Sequence, residues 1–138
     1  MSLRISRAGL EQIQRFAEEG YPHEVCGVLA GSRSSSVVTE VVPLTNERPD
    51  SPANRYKVDG LLVMKAEQEL EARGLDVVGY YHSHPDHPSR YSDYDREHAL
   101  PNMSYAIVSV MAGEAADTRC WRLAEDRSVM NAQEIEVG

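Results

Sequence analysis

The stretch Tyr80-Tyr81-His82-Ser83-His84-Pro85-Asp86-His87-Pro88-Ser89-Arg90-Tyr91-Ser92-Asp93-Tyr94-Asp95 holds three of the chain's five histidines and ends among carboxylates. It follows an apolar run, Leu75 to Tyr81, that reads as a strand. Successive side chains of a strand alternate faces, so His82 and His84 project to one side while Ser83 points away. Two imidazoles can thus meet one ion. Pro85 ends the strand directly afterwards, which puts the pair at an edge open to solvent and substrate.

A catalytic zinc takes three protein ligands and keeps its fourth position for water. From the residues alone Asp95 is the choice for the third ligand, since the turn after Pro85 is long enough to bring the next helix back over the strand end. His98, one helical turn further on, is the first alternative, and His87 requires a tight reversal. Asp86, Asp93 and Glu97 read as solvated charges. Blander explanations cover the same residues: a His-x-His pair on a surface, and Ser92-x-x-Asp95 as an ordinary helix cap with an acid near the dipole.

Outward from this run, Ser6 predicts the N-cap of a helix carrying Leu10, Ile13 and Phe16 and stopping at Gly20. Glu24 to Gly31 and Ser36 to Leu44 read as a strand hairpin, and residues 45–54 as a polar, Pro-containing loop. Asp59 caps a second helix, Gly60 to Arg73, ended by Gly74. A short helix over Ser92 to Leu100 and strands over Met103 to Met111, Thr118 to Leu123 and Val129 to Val137 complete one domain, 1–138, of class α/β or α+β.

Composition narrows the function. At 138 residues and 41% hydrophobic content the chain can bury an ordinary core. A net charge of −8 with no Lys/Arg cluster argues against nucleic acid or an anionic membrane as partner, and favours a basic or neutral peptide. No apolar run of signal-peptide or membrane-span length occurs, which predicts a cytoplasmic protein. Cys26 and Cys120 read as reduced, buried thiols, and nothing beside Cys26 gives it nucleophile character.

Taken together, His82-Ser83-His84-Pro85 and Ser92-Asp93-Tyr94-Asp95 resemble the His-x-His-Pro…Ser-x-x-Asp signature of the JAMM (MPN-plus, Mov34/PAD-1) metalloproteases. Glu24-Val25-Cys26-Gly27 is similar to the family's early strand, and the resemblance extends over nearly the whole chain. It implies the MPN/JAMM fold, a mixed central sheet flanked by helices and cytidine-deaminase-like. It implies one Zn²⁺ per chain held by His82, His84 and Asp95, with Glu24 as general acid/base and Ser92 as oxyanion donor. Without that signature, Glu24 reads as an exposed charge at a strand start.

The short length and modest loop separate the chain from members with long insertions that act on ubiquitin. Compact prokaryotic members are implied to release amino acids or short extensions from small ubiquitin-like sulfur-carrier proteins ending in Gly-Gly. Such a tail can be read by β-augmentation, with Tyr56, Tyr81 and the 46–54 loop as candidate cleft walls. The rival readings are a catalytically silent MPN-type scaffold and a RadC-like member of unknown substrate. Dimerisation is left open.

Overall fold

The structure, a computed structural model, describes residues 2–44 and 60–138. The candidate loop 46–54, the cap at Asp59 and the candidate wall Tyr56 lie outside the described residues. The chain order is β1 (Leu3–Ile5), α1 (Arg7–Gly20), β2 (Cys26–Ser32), β3 (Val37–Leu44), α2 (Gly60–Ala72), β4 (Asp76–Pro85), α3 (Asp93–His98), β5 (Ser104–Met111), β6 (Glu114–Leu123), β7 (Met130–Gln133) and β8 (Ile135–Val137). The strands form one mixed sheet, ordered β7-β6-β5-β4-β2-β3-β1-β8. Among the described residues, no helix is long and apolar enough to cross a membrane.

Each element follows from local chemistry. Helix α1 starts where Ser6 Oγ accepts the Gly9 amide at 3.0 Å, and it buries Ile13 and Ala17. Helix α2 stops where Gly74 turns to φ +76°, a conformation glycine adopts without penalty. Alternation along the strands then sorts the core onto two faces. Leu29, Val78, Tyr81, Val108 and Val110 pack with α1 on one face, whereas Val28, Ala30 and Val77 pack with Leu70 of α2 on the other. On that second face Ala99 joins Tyr105, Ile107, Trp121 and Met130 in a further cluster.

Strand β4 is central, antiparallel to β2 and parallel to β5. It runs beyond the expected end at Tyr81, through both histidines to Pro85, which stands opposite Val110 in the parallel ladder. The histidines therefore sit at the end of a central strand and not on a sheet edge. The expected strand Val129 to Val137 is two strands: β7 pairs with β6, and β8 pairs with β1 at the far side of the sheet. Strand β1 was not expected, because three residues carry too little alternation to stand out.

Candidate metal centre

Antiparallel pairing of β2 with β4 sets Cys26 opposite His82 and Gly27 opposite Tyr81. The same register continues one residue past the strand: Val25 and Ser83 exchange a backbone bond, Ser83 N–H to the Val25 carbonyl at 3.0 Å. Alternate residues of a strand share a face, so His82 and His84 lie on one side of the sheet. Glu24 is 6% exposed, and its charge is felt at His84.

The two imidazoles converge. His82 Nε2 and His84 Nε2 are 3.2 Å apart, and each lies 3.2 Å from an oxygen of Asp95. Asp95 arrives from α3, whose N-terminus is a reciprocal capping box. Ser92 Oγ accepts the Asp95 amide at 3.1 Å, and Asp95 Oδ2 accepts the Ser92 amide at 2.9 Å. Capping and site geometry are thus one arrangement, in which the acid that closes the helix end also faces the histidines.

The donor set fits a divalent cation. A carbonyl only accepts, so the 2.9 Å contact of His84 Nδ1 with the Pro88 carbonyl fixes the proton on Nδ1 and leaves the lone pair of a neutral ring on Nε2. That nitrogen, His82 Nε2 and a carboxylate oxygen lie within 4.8 Å of one another. Such lone pairs repel unless a cation, proton or metal, sits among them. The electrostatics agree. Burial disfavours the charged His84, but hydrogen bonds to Asp95 and the Pro88 carbonyl and the charges of Asp95 and Glu24 raise its pKa above the ordinary 6.5. Burial likewise works against the Asp95 carboxylate, yet hydrogen bonds from His82 and His84 hold it well below the usual carboxylate range.

Several expected residues fall elsewhere. His98 is exposed, with Nδ1 on the Tyr94 carbonyl at 2.9 Å and its ring stacked on Tyr94, apart from the His82/His84/Asp95 group. His87 is exposed as well. Tyr81, a candidate cleft wall, is 1% exposed and faces α1, the opposite side of the sheet. Its ring lies over Gly27, where an added Cβ would stand 2.3 Å from Tyr81 Cε1. Parity along β4 explains the misplacement: Tyr81 shares its face with Ser83, not with the histidines. Cys26 and Cys120 are buried free thiols, and burial, with Glu24 nearby, pushes Cys26 up to about 12.

Asp86 is not merely solvated. It accepts Tyr21 Oη–H at 2.6 Å and the Ala112 amide at 2.8 Å. The rest of the turn is also anchored: Ser109 Oγ donates to the His87 carbonyl at 2.6 Å, Ser89 Oγ to Asp117 at 2.6 Å, and Trp121 Nε1 to the Ser89 carbonyl at 2.9 Å. These supports hold the Pro88 carbonyl that orients His84. Sequence spacing gives no sign of them, because their partners are 22 to 32 positions away.

Comparison with known proteins accords with this geometry. Residues 6–124 match the family described as prokaryotic homologues of the JAB domain. A desampylase of Haloferax volcanii is 36% identical over 112 residues, covering 78% of this chain and 80% of that protein. A probable TtuB-protein conjugate cleaving protease of Thermus thermophilus is 36% identical over 105 residues, covering 76% and 68%. A JAB1/MPN domain protein of Archaeoglobus fulgidus superposes with a TM-score of 0.61 over 98% of this chain and 99% of that one; at 21% identity this likeness speaks for the fold. With the match spanning most of its length and the His-x-His-Pro and Ser-x-x-Asp elements meeting in space, the chain belongs to the prokaryotic JAB (JAMM/MPN) family.

Proposed function

We propose that this chain is a zinc-dependent peptidase that cleaves the bond after the C-terminal Gly-Gly of a small ubiquitin-like or sulfur-carrier protein. The observation that carries this reading is the convergence of His82, His84 and Asp95 on one point, with a buried Glu24 near enough for its charge to be felt at His84. One Zn²⁺ per chain suits two imidazoles and one carboxylate. When bound, it would supply a Lewis acid for the scissile carbonyl and lower the pKa of a coordinated water to about 7.

The remaining work falls to protein groups. Glu24, shielded from bulk water, takes the proton of the attacking water and delivers it to the leaving amine. Ser92 uses a lone pair of its hydroxyl in the cap, so its single proton is available to the developing oxyanion. His84 is kept in one tautomer by the Pro88 carbonyl, and the Asp95 carboxylate is held in orientation by the capping box. No role is assigned to Tyr81, and Tyr56 stays a candidate wall for the tail.

The substrate class rests on the relatives, one a desampylase and one a protease of protein conjugates. A net charge of −8 suits a neutral or basic tail. The protein acts in the cytoplasm as one domain, in keeping with its two free thiols. A silent scaffold would have no need of a complete ligand set with a buried acid beside it.

The test pairs elemental analysis with mass-spectrometric detection of cleavage of a sulfur carrier extended beyond Gly-Gly. The expected result is about one zinc per chain, with cleavage abolished by a chelator. Glu24→Gln should keep the zinc and lose the cleavage. Failure to take up zinc on reconstitution, or normal cleavage by Glu24→Gln, overturns the reading.

A further inference from the structure

Glu24 lies outside strand β2, so the ladder of that strand does not hold it. Its chain neighbours on both sides are tied to the segment that carries the histidines. On the C-terminal side, Val25 is bound twice to Ser83: Ser83 N–H donates to its carbonyl at 3.0 Å, and its own amide donates to Ser83 Oγ at 2.9 Å. On the N-terminal side, Tyr21 Oη donates to Asp86 at 2.6 Å, and Asp86 is itself fixed by the Ala112 amide and by its own amide on the Val110 carbonyl at 2.7 Å. Residues 21–25, the turn that leads from α1 into β2, are therefore fastened to residues 83–86 at both ends.

The geometry points to Ser83 and Tyr21 as positioning residues that set the distance of Glu24 from the paired histidines. This rests on the function proposed above. Ser83 is suited to the task because it stands between the two ligands and points to the other face. It is fully buried and cannot touch substrate, so its hydroxyl acts only through Val25. The residue between the histidines thus works as a gauge: any shift of β4 that moves His82 and His84 carries Val25, and so Glu24, along with it. A second tie is needed because a single anchor at Val25 leaves the preceding residues free to swing away from the site. Displacement of a proton-transferring group by about 1 Å costs on the order of a hundredfold in rate, which gives such a gauge functional weight.

The experiment uses the full chain loaded with Co²⁺ for paramagnetic NMR and with Zn²⁺ for kinetics. Ser83→Ala should move the cobalt-shifted signals of Glu24 while leaving those of the His82 and His84 rings in place. It should lower kcat about ten- to a hundredfold with KM and zinc content unchanged, and Ser83→Thr, which restores the hydroxyl, should recover both. Tyr21→Phe, at a partly exposed position, should produce the same pattern more weakly, and it decides the matter if Ser83→Ala does not fold. Unmoved Glu24 signals overturn the proposal. Movement of the histidine signals or loss of zinc also overturns it, since the hydroxyl would then be supporting the ligands and not the acid. A wild-type chain that binds Co²⁺ but cleaves nothing refutes the function proposed above, and the positioning claim is then judged on the Glu24 signals alone.

Discussion

Replacing Ser92 by Ala separates two roles that share one hydroxyl. The oxygen accepts the Asp95 amide at 3.1 Å, so its loss uncaps α3 at one amide; the Asp95 carboxylate keeps both its bond to the Ser92 amide and its position 3.2 Å from each histidine. Loss of an N-cap oxygen costs about 1 kcal/mol. For a chain of this size that lowers Tm by about 3–5 °C, and a domain stable by about 5–15 kcal/mol stays folded. Loss of an oxyanion donor costs about 100- to 1000-fold in kcat. The stability change is thus far too small to account for the rate change, and the two can be read apart. Ser92→Asp sharpens the contrast, because Asp caps as well as Ser but its ionised carboxylate donates no hydrogen bond. The assay is thermal unfolding, zinc content and steady-state cleavage on the same samples. Ser92→Ala turning over within tenfold of wild type, or Ser92→Asp retaining full turnover, would refute the donor role and leave the cap alone.

Asp95→Asn replaces the only carboxylate of the ligand group and should weaken zinc binding at least about a hundredfold, beyond the 10- to 100-fold typical of outer-sphere partners; unchanged affinity in a chelator competition would remove Asp95 from the ligand set. Zinc uptake should also strengthen with pH, being at least about tenfold weaker at pH 6 than at pH 8, since the ion displaces the proton that the raised His84 pKa retains. A flat profile would contradict that. In the metal-free protein the sign for His84 reverses: its stabilising protonation is fully present below the ordinary 6.5 and lost as pH rises through the raised value. The contribution of Asp95 is present above its ordinary 3.8 and lost only as pH falls through its depressed value. Tyr81→Phe removes a buried hydroxyl with no hydrogen-bond partner among the described residues, so unfolding should show a neutral or stabilising change of up to about 1–3 kcal/mol with cleavage intact. A drop in cleavage would restore Tyr81 to the site. Gly27→Ala should destabilise markedly, because the new methyl meets the Tyr81 ring; a melting temperature equal to wild type would mean that the ring can move away.

What could be read from the sequence was whatever local chemistry decides. Ser6 and Gly74 delimit helices through capping and backbone freedom, and the parity of His82 and His84 follows from strand geometry. Parity also governs Tyr81, and applied one residue earlier it would have sent that side chain to the α1 face. Asp95 could be chosen over His98 only by a distance across the turn; in the structure the capping box aims the Asp95 carboxylate at the histidines, whereas His98 stacks on Tyr94 outside the group. The supports of the turn, Ser89 to Asp117 and Trp121 to Ser89, depend on β6 lying two strands from β4, which no local pattern encodes. The division of the tail into β7 and β8 was hidden for the same reason. Only one residue, Glu134, separates the two strands, and their partners lie at opposite sides of the sheet.

That division also bears on how the molecule comes apart. Gln133 ends one rim of the sheet and Ile135 begins the other, so the sheet curls until its rims are joined by a single intervening residue. The closing pair, β1 with β8, links positions 132 apart, as the Arg4–Glu136 bond marks. Bringing such distant segments together carries a loop-closure cost, which predicts that this seam forms late. The candidate metal ligands lie between residues 82 and 95, on the middle strand and the helix that follows it. Fraying at the seam therefore leaves them in place. In native-state hydrogen exchange the amides of Leu3–Ile5 and Ile135–Val137 should open at lower free energy than those of His82 to Pro85, and equal protection would refute this order.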